Sequence, residues 1–252
     1  MTQFELGLAQ TGWLPEDDTL ILKKSLAHSI RSFDAVPTKY APGGFQTAVS
    51  AWMRAGIGVR SVQGFFFNKD VTVCSCREHS LQLEVTFSSA VADAQIAQAK
   101  FMILGAPSSR VGACSVQQFC DAVFRLGDMA TSNGLVLLLE NLPVSCRDLP
   151  LASLGDLRRV MKKTFPTNGL GICLDLGNLA SCLGSLKDFY DIEDLASLEH
   201  VGHIQANMDY LDFESKEELQ EVLTSVPSQI LEQANGLVTL EFALGQINWE
   251  LI

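Results

Sequence analysis

The stretch Leu137-Leu138-Leu139-Glu140-Asn141 is an apolar run that ends in a carboxylate. Three later blocks repeat this pattern: Cys173-Leu174-Asp175, His203-Ile204-Gln205 and Val238-Thr239-Leu240-Glu241. Each block ends in one side chain whose oxygen can bind a metal ion. The spacings of 35, 30 and 36 residues approach the length of one strand-plus-helix unit. Because the C-terminal ends of strands in a closed parallel barrel converge on one mouth, we expect these four side chains to meet there.

Eight apolar runs along the chain predict eight strands. These runs lack strict polar alternation, which is typical of strands buried on both faces. The predicted strands are residues 4–9, 33–37, 58–66, 101–105, 135–139, 171–174, 201–205 and 237–242. Amphipathic segments between them predict the helices 18–31, 45–55, 78–99, 115–132, 151–164, 186–198 and 216–234.

The alternation of strands and helices, without a change in composition, predicts an α/β fold. We expect one domain over residues 1–252, a single (β/α)₈ TIM barrel. Its last helix is abbreviated, because only residues 243–252 follow the last strand. A doubly wound open sheet is the alternative, since periodicity does not show closure.

Composition limits the classes of function. The chain of 252 residues is 47% hydrophobic and 19% charged, which suffices for a large core. Its formal net charge is −11 and it contains no dense basic run, so we expect no nucleic-acid partner. No glycine-rich phosphate-binding fingerprint is present, and we expect no nucleotide cofactor.

The location of the protein is predicted from its N-terminus and its cysteines. The first residues show no basic segment followed by an apolar stretch, and no run approaches the roughly 20 apolar residues of a membrane span. We therefore expect a cytoplasmic protein without a membrane partner. The seven scattered cysteines favour free thiols. Cys74 and Cys76 form a lone C-x-C pair. We interpret this spacing as a coincidence in preference to a metal or redox site.

Glu140, Asp175, Gln205 and Glu241 are the predicted ligands of one divalent cation. Taken alone, Glu140 could be a solvated loop residue, Asp175 a helix N-cap and Glu241 a charge at a strand edge. Their common register with the repeat favours a metal site. An all-oxygen ligand set with excess negative charge favours Mn²⁺, with Mg²⁺, Co²⁺ or Zn²⁺ as alternatives.

The blocks around these four residues resemble those of the xylose-isomerase-like TIM barrels. This superfamily includes sugar-phosphate isomerases and epimerases, hydroxypyruvate isomerase and inosose dehydratase. His203-Ile204-Gln205, in place of the commoner His-x-His, is similar to the hydroxypyruvate-isomerase branch, where the Gln is the ligand. Residues 57–67 and 104–110 resemble the third and fourth strands of the group, so the resemblance spans nearly the whole chain.

The resemblance implies roles for individual residues. Glu140, Asp175, Gln205 and Glu241 would be metal ligands, Glu140 and Glu241 would also form the acid–base pair, and His203 would contact the substrate. Asn178 stands where many members have a His that binds a second metal or the substrate. The related endonuclease IV needs several histidines for its trinuclear zinc site, and this chain has four in total, so a nuclease is disfavoured.

These features predict a divalent-metal-dependent isomerase or epimerase of a small sugar, sugar phosphate or hydroxy-carbonyl compound. Proton transfer would proceed through an enediolate. Arg110, Lys39 and Trp13 follow predicted strands and are candidate substrate contacts, as is His203. Each of these also has a purely structural explanation, such as an exposed Arg or a His inside the barrel.

Other functions stay open. A metal-dependent lyase that removes water from a cyclitol or sugar acid shares the first proton abstraction. A barrel that binds a ligand without turnover is a weaker alternative. The expected partner is a small polyhydroxy carbonyl substrate, and a homo-oligomer is compatible with the sequence.

Overall fold

The computed structural model of the chain describes residues 4–67, 69–110, 115–164, 169–183, 198–211, 213 and 215–252. Eight parallel strands form a closed barrel in which each strand pairs with its neighbours in sequence. They are β1 (Glu5–Ala9), β2 (Ser32–Ala35), β3 (Gly58–Gln63), β4 (Phe101–Leu104), β5 (Val136–Glu140), β6 (Leu170–Asp175), β7 (Val201–Asn207) and β8 (Leu237–Glu241). Pairing of β1 with β8 closes the barrel, so the predicted TIM barrel is confirmed and the open sheet is excluded.

Helices surround the barrel. They are α1 (Asp18–Ala27), α2 (Gly44–Arg54), α3 (Arg77–Ile96), α4 (Val116–Ser132), α5 (Leu154–Thr164), α6 (Leu176–Leu183), α7 (Lys216–Ser225) and α8 (Ser228–Gln233). Ser115 begins α4 with a capping box, in which its hydroxyl accepts from the backbone N–H of Gln118 and the Gln118 side chain accepts from the backbone N–H of Ser115. None of these helices is long and apolar enough to cross a membrane.

The helices depart from the prediction in one place. The predicted helix 216–234 is two helices, because Val226 adopts an extended conformation before Pro227, which has no N–H to continue the helix. Helix α6 corresponds to the alternative in which Asp175 is a helix N-cap, and nearly all of the predicted helix 186–198 lies outside the described residues. The short segment 243–252 forms turns after β8.

The alternation of side chains along the strands places the predicted site residues inside the barrel. A small apolar cluster, separate from the larger core between strands and helices, consists of Phe101, Ile103, Leu138 and Cys173. Successive side chains of a strand point to opposite faces. Glu140 therefore shares the inner face with Leu138, and Asp175 shares it with Cys173. Both carboxylates lie at the C-terminal end of the barrel interior.

The cysteines depart in part from the expectation of free thiols. Among the described residues, Cys76, Cys120, Cys146, Cys173 and Cys182 are not disulfide-bonded. Cys74 is disulfide-bonded, so the prediction is wrong for this residue. Because Cys76 is free, the C-x-C pair is not joined within itself.

Gly177 allows the first turn of α6 to approach β7. A Cβ at this position would lie 2.1 Å from the carbonyl oxygen of Asn207, a backbone atom that cannot turn away as a side chain can. Gly177→Ala is therefore expected to lower the free energy of unfolding by about 1–3 kcal/mol, as overpacking does. Urea denaturation measures the loss.

The matched control is Gly155→Ala in α5, where the nearest atom to the added Cβ lies 3.8 Å away. This variant is expected to be neutral or to gain about 0.5–1 kcal/mol, since Ala favours the helix over Gly. Equal losses in both variants would contradict the close contact between α6 and β7.

Candidate functional site

A cavity of about 210 Å³ lies at the C-terminal end of the barrel, where the strands meet the loops. Its polar lining consists of Thr11, Gln63, Glu140, Asn178, Asn207, Tyr210 and Glu241. Apolar side chains such as Phe67, Ile103 and Leu142 complete the wall. The volume is below the roughly 300–1,000 Å³ of pockets for drug-sized ligands, so the cavity suits a smaller molecule.

Glu140 and Glu241, the predicted acid–base pair, both line this cavity. Glu140 Oε1 accepts a hydrogen bond of 3.0 Å from Asn178 Nδ2. Its other oxygen, Oε2, fills the space beside Gly105, where a Cβ would lie only 1.7 Å away. The position of the Glu140 carboxylate thus depends on a residue without a side chain on the neighbouring strand end.

Asp175 is fully buried and does not line the cavity. Its Oδ1 accepts a hydrogen bond of 2.7 Å from the backbone N–H of Asn178, so Asp175 is the N-cap of α6. Its Oδ2 has no hydrogen-bond partner among the described residues. An orphaned carboxylate oxygen in the interior is costly, and it is an available ligand for a cation.

The three carboxylates have raised pKa values. Burial, with the negative charges of Asp175 and Glu241, raises the pKa of Glu140 well above its usual range, against the opposing effect of Arg110. Burial, followed by the charges of Asp175 and Asp34, raises the pKa of Glu241 to about 8. Burial raises the pKa of Asp175 to about 6, although backbone N–H groups oppose this shift. A nearby positive charge would therefore stabilise the ionised forms of these three carboxylates.

The donor chemistry fits a divalent cation, but the predicted four-ligand arrangement is not assembled. The negative charges of Asp175 and Glu241 act on Glu140. Asp175 Oδ2 has no hydrogen-bond partner among the described residues, so it is available to bind a cation. However, no group of three or more His, Cys, Asp or Glu side chains in the described part of the chain is arranged to hold a metal ion.

Gln205, the fourth predicted ligand, belongs to a buried polar cluster below the cavity. Its Nε2 donates to Gln63 Oε1 at 2.9 Å and to Asp34 Oδ2 at 3.2 Å. Its Oε1 accepts from Cys173 Sγ at 3.3 Å. The structure therefore does not bring the Gln205 oxygen to the three carboxylates.

His203, the predicted substrate contact, is also fully buried and does not line the cavity. Its Nε2 lies 2.7 Å from Asp34 Oδ2. Burial alone would raise the pKa of Asp34, but the charge and hydrogen bond of His203 lower it below its usual range. His203 thus has the position of a paired histidine inside the barrel.

Arg110 is buried, and its guanidinium binds the backbone. It donates to the carbonyl oxygens of Leu104 at 2.7 Å, Glu140 at 2.8 Å, Leu151 at 2.9 Å and Pro150 at 3.4 Å. Its charge lowers the pKa of Glu140. Arg110 therefore ties the ends of β4 and β5 together and does not project into the cavity.

Lys39 and Trp13 are likewise engaged within the protein. Lys39 Nζ donates to the carbonyl oxygens of Gln10 at 2.5 Å, Thr11 at 2.9 Å and Trp13 at 2.8 Å. Trp13 is 1% exposed, and its Nε1 donates to Asp18 Oδ1 at 2.8 Å. Neither side chain is among the described residues that line the cavity.

Several neutral residues that line the cavity were not predicted from the sequence. Gln63 and Asn207 end strands β3 and β7, and Thr11 and Tyr210 lie just beyond strand ends. Their positions at strand ends could have identified them, but neutral side chains carry no charge signal. Asn178 was noted only as a departure from the family pattern, and it proves to hold Glu140.

Comparison with solved structures shows a shared fold over nearly the whole chain. A D-tagatose 3-epimerase-like protein is 18% identical, with 98% of this chain and 93% of that chain covered and a TM-score of 0.68. An AP endonuclease of family 2 from Brucella melitensis is 12% identical, with 99% and 96% covered and a TM-score of 0.68. The IolI protein with a bound zinc atom is 12% identical, with 98% and 91% covered and a TM-score of 0.61.

The chain therefore has the fold of the xylose-isomerase-like TIM barrels. These matched proteins differ in the activity that their names describe, and at these identities the likeness concerns the fold. Neither the scan against protein-family models nor the search of curated proteins gives a match.

The raised pKa of Glu241 predicts how stability changes with pH in chelator-treated protein. The folded chain keeps the Glu241 proton up to about pH 8, whereas the unfolded chain loses it near its ordinary pKa of 4.5. The stabilisation is complete below the unfolded pKa and is lost as pH rises through the folded pKa. Glu241→Gln is therefore expected to stabilise the protein at pH 8 by more than about 1 kcal/mol.

Urea denaturation from pH 4 to 9, with Glu232→Gln on the exposed side of α8 as the control, measures this effect. The control is expected to follow the parent protein at each pH. If Glu241→Gln leaves the slope of stability against pH unchanged, Glu241 is not the buried titrating group described here.

Proposed function

We propose that the protein is an enzyme, an isomerase or epimerase of a small polyhydroxy carbonyl compound. One observation carries the proposal: Glu140 and Glu241 project from β5 and β8, on different sides of the barrel, into the same small cavity. Two carboxylates that face one bound molecule can remove a proton from one face of a carbon and return it elsewhere. Several solved structures with this fold are described as epimerases or epimerase-like proteins, which supports the same class of reaction.

Both glutamates can accept and release protons in this cavity. In the metal-free protein, burial and neighbouring charges raise the pKa of Glu241 to about 8 and that of Glu140 well above its usual range. A bound cation would favour the ionised, proton-accepting form of both. In the proposed reaction one glutamate takes the proton next to the carbonyl, while the other donates a proton to the resulting enediolate.

Glu140, Asp175 and Glu241 would hold one divalent cation. Their oxygen donors suit Mn²⁺ or Mg²⁺, and we propose Mn²⁺ first, with Co²⁺ or Zn²⁺ as alternatives. When bound, the cation would supply Lewis-acid stabilisation of the enediolate. Gln205 is left out of the proposed set, because its amide is engaged with Asp34, Gln63 and Cys173.

One observation favours a second candidate. The described residues contain no three-ligand group arranged for a metal, which is compatible with a barrel that binds a ligand without turnover. A lyase acting on a cyclitol or sugar acid would share the same first proton abstraction and differs in its product. Cleavage of nucleic acid receives no support from a chain with a net charge of −11.

Metal uptake separates the enzyme from the binding barrel. Chelator-treated protein dialysed against Mn²⁺ is expected to take up about one ion per chain, since three carboxylates offer oxygen donors at the same end of the barrel. Asp175→Asn is expected to weaken the binding at least about tenfold, because the ligand loses its charge. Elemental analysis and calorimetry measure content and affinity.

Asp128→Asn, which removes an exposed carboxylate on α4, is the control and is expected to bind as the parent does. Absence of uptake of Mn²⁺, Mg²⁺, Co²⁺ and Zn²⁺ would contradict the metal-dependent enzyme and favour the second candidate.

Solvent deuterium tests the proton-transfer step. A screen of neutral ketoses and inososes with Mn²⁺ in D₂O is expected to give a product of altered configuration that carries deuterium at the reacting carbon. Glu140→Gln and Glu241→Gln are each expected to lower kcat at least about 100-fold at saturating metal, the effect of losing a positioned base. Mass spectrometry and proton NMR follow the label.

Glu221→Gln on the exposed face of α7 is the control and is expected to keep full activity. A product lighter by one water identifies the lyase. A product without deuterium would indicate a hydride shift in place of the proton transfer, and full activity of either glutamate variant would remove that residue from the mechanism.

A further inference from the structure

One amide in the cavity wall has a donor group without a partner. Gln63 ends β3, lines the cavity and is only 6% exposed. Its Nε2 has no hydrogen-bond partner among the described residues. A buried donor without a partner destabilises the protein, and a ligand oxygen that accepts its hydrogen bond removes this cost.

The opposite end of this amide is held from below. Gln63 Oε1 accepts a hydrogen bond of 2.9 Å from Gln205 Nε2. Gln205 is itself held at both ends, by Asp34 Oδ2 and by Cys173 Sγ. Because the Oε1 of Gln63 is occupied as an acceptor, its Nε2 is the group left for a ligand.

Two other amides of the wall, those of Asn178 and Asn207, already make hydrogen bonds within the protein. Asn178 Nδ2 donates to Glu140 Oε1 and to the carbonyl oxygen of Asn141. Asn207 Oδ1 accepts from the backbone N–H of Asp209. Gln63 therefore supplies a neutral donor to a wall whose charged members are glutamates.

No Lys or Arg lines the cavity in the part of the chain that the structure describes. Lys39 and Arg110 are nearby, but Lys39 Nζ and the two terminal nitrogens of Arg110 donate to backbone carbonyl oxygens. An anionic group of a ligand would face carboxylates without a cationic side chain to pair with it. The wall therefore favours uncharged oxygen atoms over phosphate or carboxylate.

We propose that Gln63 binds the substrate by donating its Nε2–H to a hydroxyl or carbonyl oxygen, and that Gln205 is the positioning residue that orients it. The substrate class is accordingly a neutral polyhydroxy carbonyl compound in preference to a sugar phosphate or sugar acid. The substrate part of this inference rests on the proposed function, whereas the orientation of Gln63 by Gln205 does not.

Binding of D-fructose and of D-fructose 6-phosphate to the Mn²⁺-treated protein tests the substrate part. D-Fructose is expected to bind at least about tenfold more tightly than its phosphate, the ratio that corresponds to about 1.4 kcal/mol. Gln63→Met, which keeps the size but removes the donor, is expected to raise the Kd of D-fructose about tenfold, the order of one lost hydrogen bond. Its Mn²⁺ affinity is expected to stay unchanged.

A double-mutant cycle tests the positioning role. Gln205→Met is expected to raise the Kd of D-fructose by a similar factor, and Gln63→Met/Gln205→Met by no more than either single change, because both act through one hydrogen bond. Additive losses would overturn the positioning role. If Gln205→Met fails to fold in urea controls, Gln205→Asn, with a shorter amide, replaces it.

The NMR signal of the Gln63 side-chain amide provides a measurement that needs no ligand. The signal is assigned by its absence from Gln63→Met, and it is expected to shift and broaden in the Gln205 variant. An unchanged signal would overturn the positioning role. If D-fructose binds but leaves this signal unmoved, Gln63 is not a substrate contact and the proposed function stands.

Two outcomes bear on the substrate class separately. Tighter binding of the phosphate would overturn the neutral substrate class. If the parent protein binds neither D-fructose nor any ketose of the deuterium screen, the proposed function fails, and the amide signal alone decides whether Gln205 orients Gln63.

Discussion

Burial and mutual repulsion act together on the carboxylates inside the barrel mouth, and the rest of the site depends on how the chain accommodates them. The pKa of Glu140 is raised first by burial and then by the charges of Asp175 and Glu241. Partial compensation comes from within the protein, from the Asn178 amide and the charge of Arg110. The remaining excess of negative charge makes the mouth receptive to protons or to a cation, and both fit an enzyme that moves protons.

Arg110 and Lys39, the positive side chains beside the site in the described part of the chain, have structural tasks and do not line the cavity. Arg110 and Lys39 each bind several backbone carbonyl oxygens at strand ends, so that their charges act on Glu140 and Glu241 from behind the wall. This division separates electrostatic support from ligand contact. In the proposed site, ligand contact falls to neutral groups such as Gln63 and to the glutamates, which line the cavity.

The fold and the glutamate pair could be predicted from the sequence, whereas much of the surrounding site could not. Strand spacing and a period of two suffice to place Glu140 and Glu241 on the inner face at one end of the barrel. The same period does not show how far a side chain lies from the barrel mouth. Gln205 and His203 lie deeper than the cavity, in contact with Asp34. The partners of Arg110 and Lys39 are backbone carbonyl oxygens, which every residue carries, so the sequence contains no sign of them.

Closure of the barrel has a consequence for the order in which the site can form. Glu241 ends β8, whose register against β1 pairs Glu5 with Leu237 and Leu8 with Leu240. A nascent chain on the ribosome could fold its early strand-helix units and still lack one of the two glutamates and one wall of the cavity. Contacts between such distant segments form slowly. The edge of β1 that pairs with β8 in the folded barrel would therefore need protection during synthesis. Strand β8 thus both closes the barrel and brings the second of the two glutamates into the cavity.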